Sequence, residues 1–169
     1  MLTTRKLSLL FILMFATLKL LGQANRIDIL LSGRVNPIIN LANISLAGGR
    51  SVTFVDSEQW LNYSARRNPN DNFYYITVQL ASGTIPPGVR IFIQAGADVG
   101  SGTGIAGSPT GMVQLGVIPQ VIVNQIGNTN TGNKKNQGHQ IFMTIEVVDF
   151  ALFESALNNL YIEYGISNL

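Results

Sequence analysis

Cysteine is absent from this chain. That removes thiol nucleophiles, iron–sulfur clusters and thiolate zinc sites in one step. It also removes disulfides, which many small exported domains use in place of a large core. Histidine occurs once, as His139. A single histidine without cysteine argues against a zinc site. A Ser-His-Asp set needs only one histidine and accepts any spacing. Yet no G-x-S-x-G turn is present to hold its serine. Charge is scarce too, at 12% of residues. The residues call for no cofactor and no metal.

The first residues carry a compartment signal. Arg5 and Lys6 precede the apolar run LSLLFILMFATLKLL, Leu7 to Leu21. Small residues Gly22 and Ala24 follow, where a signal peptidase reads. Residues 1–24 are therefore expected to be a secretory signal peptide, cut before Asn25. A retained anchor needs about 20 apolar residues, and Lys19 interrupts this shorter run. No cysteine follows it to take a lipid. The expected location is secreted, periplasmic or cell surface, with no transmembrane segment in the mature chain. The precursor's pI of 9.1 owes much to Arg5, Lys6 and Lys19. Without them, eight basic residues face nine acidic ones. That balance gives no basic face for nucleic acid.

Residues 25–169 read as a single domain, long enough to bury its own core. Short apolar runs with period two dominate it. Ile27, Ile29 and Leu31 alternate at the start. PIINLANISLA (37–47) and SVTFV (51–55) follow. In FYYITVQLA (73–81), Tyr74, Ile76, Val78 and Leu80 share one face, which reads as buried. GVRIFIQA (88–95), MVQLGVIPQVIVNQI (112–126), QIFMTIEVVD (140–149) and LYIEYGIS (160–167) complete the set. Turn clusters rich in Gly, Asn, Pro and Ser separate them. About eight such strands predict an all-β fold, an antiparallel β-sandwich of immunoglobulin-like type with at most short helical turns. Two segments carry helix signals: DSEQWLNY (56–63), with Asp56 or Ser57 as N-cap, and FALFESALNNL (150–160).

VGSGTGIAG contains a literal G-x-G-x-x-G at Gly102, Gly104 and Gly107. A dinucleotide fingerprint needs a helix to start there, so that its N-terminus meets the pyrophosphate. Pro109 and Gly111 stand where that helix should begin. The acidic residue expected about twenty positions on is missing, since the next is Glu146. The loop reads instead as a mobile, glycine-rich strand connection.

Other constellations weigh against chemistry. His139 reads as a strand-start imidazole bonded to loop backbone. Glu146 and Glu163 fall on predicted strands; a glycosidase pair would have to face each other across a bond. They read better as the solvent face of an edge pair. NPNDN (68–72) offers calcium oxygen ligands but only one charge, Asp71; it reads as a hairpin turn. NIS (43–45) and NYS (62–64) match the glycosylation sequon. Trp60, Tyr63, Arg66, Arg67 and Tyr74 cluster in sequence and are the candidate contact residues for a glycan or a partner.

The C-terminal third carries a looser series: TG at 131–132, GH at 138–139, DFALF at 149–153 and YIEYGISN at 161–168. It resembles small secreted bacterial β-sandwich proteins of the immunoglobulin-like, pilin-like kind. That resemblance implies a surface or assembly role without catalysis. The expected function is a non-enzymatic structural or adhesive surface protein. A glycan-binding, lectin-like module is the alternative, and a hydrolase using Glu146 or Asp149 is a further one. NRIDILLSG and NLYIEYGISNL, near the two ends, carry few charges and suit strand pairing. They pair either within one sandwich or with a neighbour in self-assembly.

Overall fold

A computed structural model of the chain describes residues 27–33, 52–149, 152 and 160–168. The expected signal peptide, the 37–47 run, the 43–45 sequon and most of the 150–160 helix signal lie outside these residues. The described part is all-β, with no helix. Seven strands are long: β1 (Ile27–Gly33), β2 (Val52–Ala65), β3 (Tyr74–Ser82), β4 (Val89–Asp98), β8 (Gln120–Ile126), β10 (His139–Val147) and β11 (Tyr161–Asn168). Four more span two residues each: β5 (Thr103–Gly104), β6 (Ser108–Pro109), β7 (Val113–Gln114) and β9 (Thr129–Asn130).

All pairings are antiparallel and form two sheets. The first has the order β5-β9-β2-β10-β4-β7, with β1 also on β2. Leu61 of β2 is opposite both Leu31 and His139, so β1 and β10 occupy opposite flanks of β2. The second sheet has the order β11-β3-β8-β6. The core lies between them. β3 contributes Tyr74, Ile76, Val78 and Leu80, the face that its alternation marked as buried. β4 contributes Val89, Ile91, Ile93 and Ala95, and β10 contributes Ile141, Met143, Ile145 and Val147. Burying side chains of this size contributes about 1.5–3 kcal/mol each before entropy is counted.

The helix expected over 56–63 is a strand instead. Residues 56–63 fall inside β2, where two residues of β2 are squeezed opposite Phe142 of β10. This is a β-bulge, which adds one residue and shifts the facing. Phe54 packs toward the core before it. After it, Gln59, Leu61, Tyr63 and Ala65 are the buried set on the opposite parity. The Asp56 carboxylate accepts from the backbone N–H of Glu58 at 2.9 Å. That contact is the capping signal seen in the sequence, used to hold a bulge rather than to start a helix. Gln140 Nε2 donates to the Ser57 carbonyl at 2.8 Å from the neighbouring strand.

The glycine-rich connection is ordered into β5 and β6. Its glycines permit close approach to the backbone of β9. A Cβ on Gly102 would sit 2.0 Å from the Asn130 carbonyl oxygen, and one on Gly104 would sit 2.0 Å from that of Asn128. Gly104 also has φ +89, in the left-handed region. The loop is thus a packed strap, and its spacing reflects sterics rather than a phosphate.

Candidate functional site

The strap crosses a buried polar cluster at one end of the first sheet. His139 opens β10 and has no exposed surface. A second bulge, around Gly96 and Ala97 in β4, turns the Gly96 carbonyl onto the ring. His139 Nδ1 donates to that carbonyl at 2.7 Å. On the other side of the ring, Nε2 is 2.8 Å from the Tyr63 hydroxyl. The two rings are nearly parallel, 8° apart, with centroids 5.7 Å apart. The Tyr63 hydroxyl also donates to the Ala106 carbonyl of the strap. With one proton to give, it stands between the His139 ring on β10 and the Ala106 carbonyl on the strap. Thr131 completes the cluster. Its Oγ1 accepts from Tyr63 N at 2.9 Å, and its N–H donates to Tyr63 O at 2.9 Å.

Burial pushes the Tyr63 hydroxyl well above its ordinary pKa of 10.0, and the Asp98 carboxylate adds to the shift. A neutral phenol is the form that can donate here. The cluster joins β2, β4, β10 and the strap, but both rings are buried away from solvent. Its chemistry is that of a fastener: it supplies donors to half-buried backbone carbonyls of β4 and the strap. His139 is a strand-start imidazole as expected, but its close backbone partner is a strand carbonyl rather than a loop one. Its main partner is strand β4, with the strap at 3.4 Å.

The candidate contact residues divide by exposure. Trp60, Tyr63 and Tyr74 are buried. Tyr63 and Tyr74 belong to the core, so neither offers an open ring face. Arg66 is exposed and Arg67 half-buried, at the end of β2. The Arg67 guanidinium lies over the Phe73 ring, 4.5 Å from its centroid. Phe73 is 46% exposed and is the aromatic that this end of the molecule presents to solvent. Asn62 of the NYS sequon is buried, with its amide donating to Ser32 Oγ at 2.8 Å and to the Lys134 carbonyl at 3.2 Å. Its side chain is committed to packing in the folded chain.

The carboxylates are dispersed. Glu146 alternates with the inward residues of β10 and so faces outward on the first sheet. Glu163 is exposed on the second sheet and accepts from Gln79 Nε2 at 2.6 Å. Tyr164, its neighbour, points the other way and donates to Gln59 Oε1 on the facing sheet at 2.9 Å. Glu146 and Glu163 therefore sit on opposite outer faces and cannot flank one bond; nor do they form the expected edge pair, because β10 is an inner strand of the first sheet and β11 belongs to the second. In 68–72, the Asp71 carboxylate accepts from Asn68 Nδ2 at 3.1 Å, closing the expected turn. Among the described residues no group of His, Cys, Asp and Glu is placed to hold a metal ion.

A surface feature escaped the motif reading. From Val99 to Asn133 there is no Asp, Glu, Lys, Arg or His. Within this stretch, Met112, Val117, Ile118 and Val121 are exposed large apolar residues. The signal was the missing charge, which composition averaged over the chain conceals.

The class these features define is a two-sheet, all-β protein with a buried polar fastener. No protein-family model, no curated protein and no solved structure matches the chain.

Proposed function

We propose that the chain is an exported, non-catalytic structural or adhesive subunit of the cell surface, periplasm or surroundings, of immunoglobulin-like, pilin-like character. The observation that carries this reading is the placement of β1 and β11. Each belongs to a different sheet, and the two touch. Among the described residues each pairs with a strand on one flank only: β1 with β2, and β11 with β3. Both strands are therefore part of their own sandwich, and among the described residues their outer flanks are edges. β11 offers eight residues with Glu163 as its one charge. No proline or lysine guards it, and such an edge can accept a partner's strand through backbone hydrogen bonds. The N-terminal apolar run with Arg5 and Lys6 supports export.

Two measurements test this reading. Fractionation of an expressing bacterial host is expected to find the protein outside the cytoplasm; intact precursor in the cytoplasm would overturn export. Light scattering tests the edge. Tyr161 and Ser167 are exposed on β11, so Tyr161→Lys with Ser167→Lys adds charge without touching the core. The double variant is expected to lose higher-order species while keeping its β-type circular dichroism. An unchanged distribution would remove β11 as the contact.

Phe73 and Arg67 favour a second reading, glycan binding. An exposed ring beside a guanidinium can stack a sugar and hydrogen-bond its hydroxyls. A glycan array probed with wild type and Phe73→Ala separates the readings. Saturable binding lost in the variant supports the lectin; no binding by wild type removes it.

A further inference from the structure

The buried fastener can be counted in protons. Three contacts run in series from β4 to the strap. The Gly96 carbonyl meets His139 Nδ1, His139 Nε2 meets the Tyr63 hydroxyl, and that hydroxyl meets the Ala106 carbonyl. Both ends of the series are carbonyls, which only accept, so each contact needs one proton. A neutral imidazole and a neutral phenol bring two. Nδ1 must give the ring proton to Gly96. Nε2 is then a lone pair facing Tyr63, and the single hydroxyl proton serves either Nε2 or Ala106. A ring protonated on both nitrogens brings the third proton, and all three contacts close. Nε2 also lies 3.4 Å from the Ala106 carbonyl, so a proton there faces two oxygens and a lone pair there faces a second acceptor.

We infer that protonation of His139 locks the strap onto the first sheet, and that loss of the proton frees the Ala106 carbonyl and loosens the strap. The surroundings of the ring supply the countercharge. Asp98 is opposite His139 in the β4–β10 register. Its Oδ2 accepts from Gly100 N at 3.0 Å, while its Oδ1 is buried without a hydrogen-bond partner among the described residues. Its charge reaches the cluster, since it helps to hold the Tyr63 phenol neutral. Desolvation opposes a buried charged ring; the carboxylate and the completed series of hydrogen bonds offset it. Tyr63 on β2 and Asp98 on β4 are the titratable groups that face the ring. The strap and β9 add none, because residues 99–133 contain no titratable side chain. By linkage, a ring that holds its proton more tightly with the strap closed makes closure stronger in acid. That extra strength is lost as pH rises and the ring deprotonates.

Nuclear magnetic resonance of the nitrogen-15-labelled chain, recovered from an expressing host, tests this. The chain has one histidine, so the shifts of its two ring nitrogens report the charge state without overlap. Exchange protection at the Ile105 and Gly127 amides, corrected for the intrinsic pH dependence of exchange, reports the strap. From about pH 8 to about pH 5, protection at both amides is expected to rise about two- to tenfold in step with protonation of the ring, the worth of one hydrogen bond. Amides of β11, on the other sheet, should not follow it. In Tyr63→Phe the ring still titrates, but protection at Ile105 and Gly127 should no longer change with it. Asp98→Asn should hold the strap at its high-pH protection further into acid. A ring that stays neutral until acid unfolding overturns the inference. So does a protonated ring with unchanged or lower protection at these amides, or a Tyr63→Phe protein whose protection follows pH as wild type does.

Discussion

Replacing Tyr63 by phenylalanine removes one oxygen from the middle of the molecule. The ring stays, so the packing between Leu61, Ala65 and the His139 ring is kept. What changes is hydrogen bonding. The hydroxyl has one proton, which goes to the Ala106 carbonyl; that carbonyl loses its donor, and His139 Nε2 loses the polar partner 2.8 Å away. His139 is fully buried, so no solvent replaces the lost partner at its ring. Losing a hydrogen bond costs about 1 kcal/mol, and each buried group left unsatisfied costs about 1–3 kcal/mol. Relaxation of the strap will recover part of this at Ala106, because residue 106 is half-buried. The expected destabilisation is about 2–3 kcal/mol, or about 4–12 °C in Tm for a chain of this size. Thermal and urea unfolding followed by circular dichroism measure it. Hydrogen exchange localises it. The N–H groups of Ile105 and Gly127, bonded to Asn128 O and Ile105 O, tie the strap to the turn between β8 and β9 and should exchange faster in Tyr63→Phe. A Tm within about 1 °C of wild type, with unchanged exchange at these two amides, refutes the fastener role.

Gly104→Ala should destabilise by about 3 kcal/mol or more, since the new Cβ meets the Asn128 carbonyl at 2.0 Å and the backbone is left-handed. Gly116→Ala, with nothing within 4 Å of the added Cβ, should be neutral or stabilising by up to about 1 kcal/mol; urea midpoints compare the two. Asp56→Ala should cost about 1 kcal/mol by freeing the Glu58 N–H at the bulge, read in the same assay. Tyr63 and Tyr164 both have pKa values raised above 10.0 by burial. Their contribution is complete below about pH 10, where the unfolded phenols are neutral, and falls as pH rises and the unfolded chain releases protons. Stability against urea should therefore drop above about pH 10, and less steeply in Tyr164→Phe; parallel profiles for the two proteins would contradict this.

The regular strands were legible in the sequence because their two faces meet different surroundings. Tyr74, Ile76, Val78 and Leu80 alternate with polar neighbours, and the same parity runs unbroken through Ile141, Met143, Ile145 and Val147. β2 was not legible as one strand. Its parity changes at the bulge near Ser57, and its outer-face residues Trp60 and Asn62 are buried as well. A helix period then fits the string as well as a strand period does. The Asp56 carboxylate deepened the ambiguity, because accepting from the second N–H onward serves an N-cap and a bulge alike. His139 was legible as a strand start, but its partner was not. Tyr63 stands 76 residues away, and that pairing exists only after β2 and β10 are in register.

The two sides of the sandwich differ in what they can recognise. On one side stand β1 and β11, seven and eight residues long. Among the described residues their outer flanks are unpaired, with backbone donors and acceptors in the fixed spacing of a strand. Recognition there is directional and tolerant of sequence. On the other side, β6 and β7 are two residues long and leave almost no free backbone. The sheets are also braced differently behind each side. Tyr164 of β11 bonds across the core to Gln59, so a load on that edge passes directly into the facing sheet. The other side is braced by Leu115, whose N–H donates to the Ile91 carbonyl at 2.8 Å, and by Gly116, which holds Leu80.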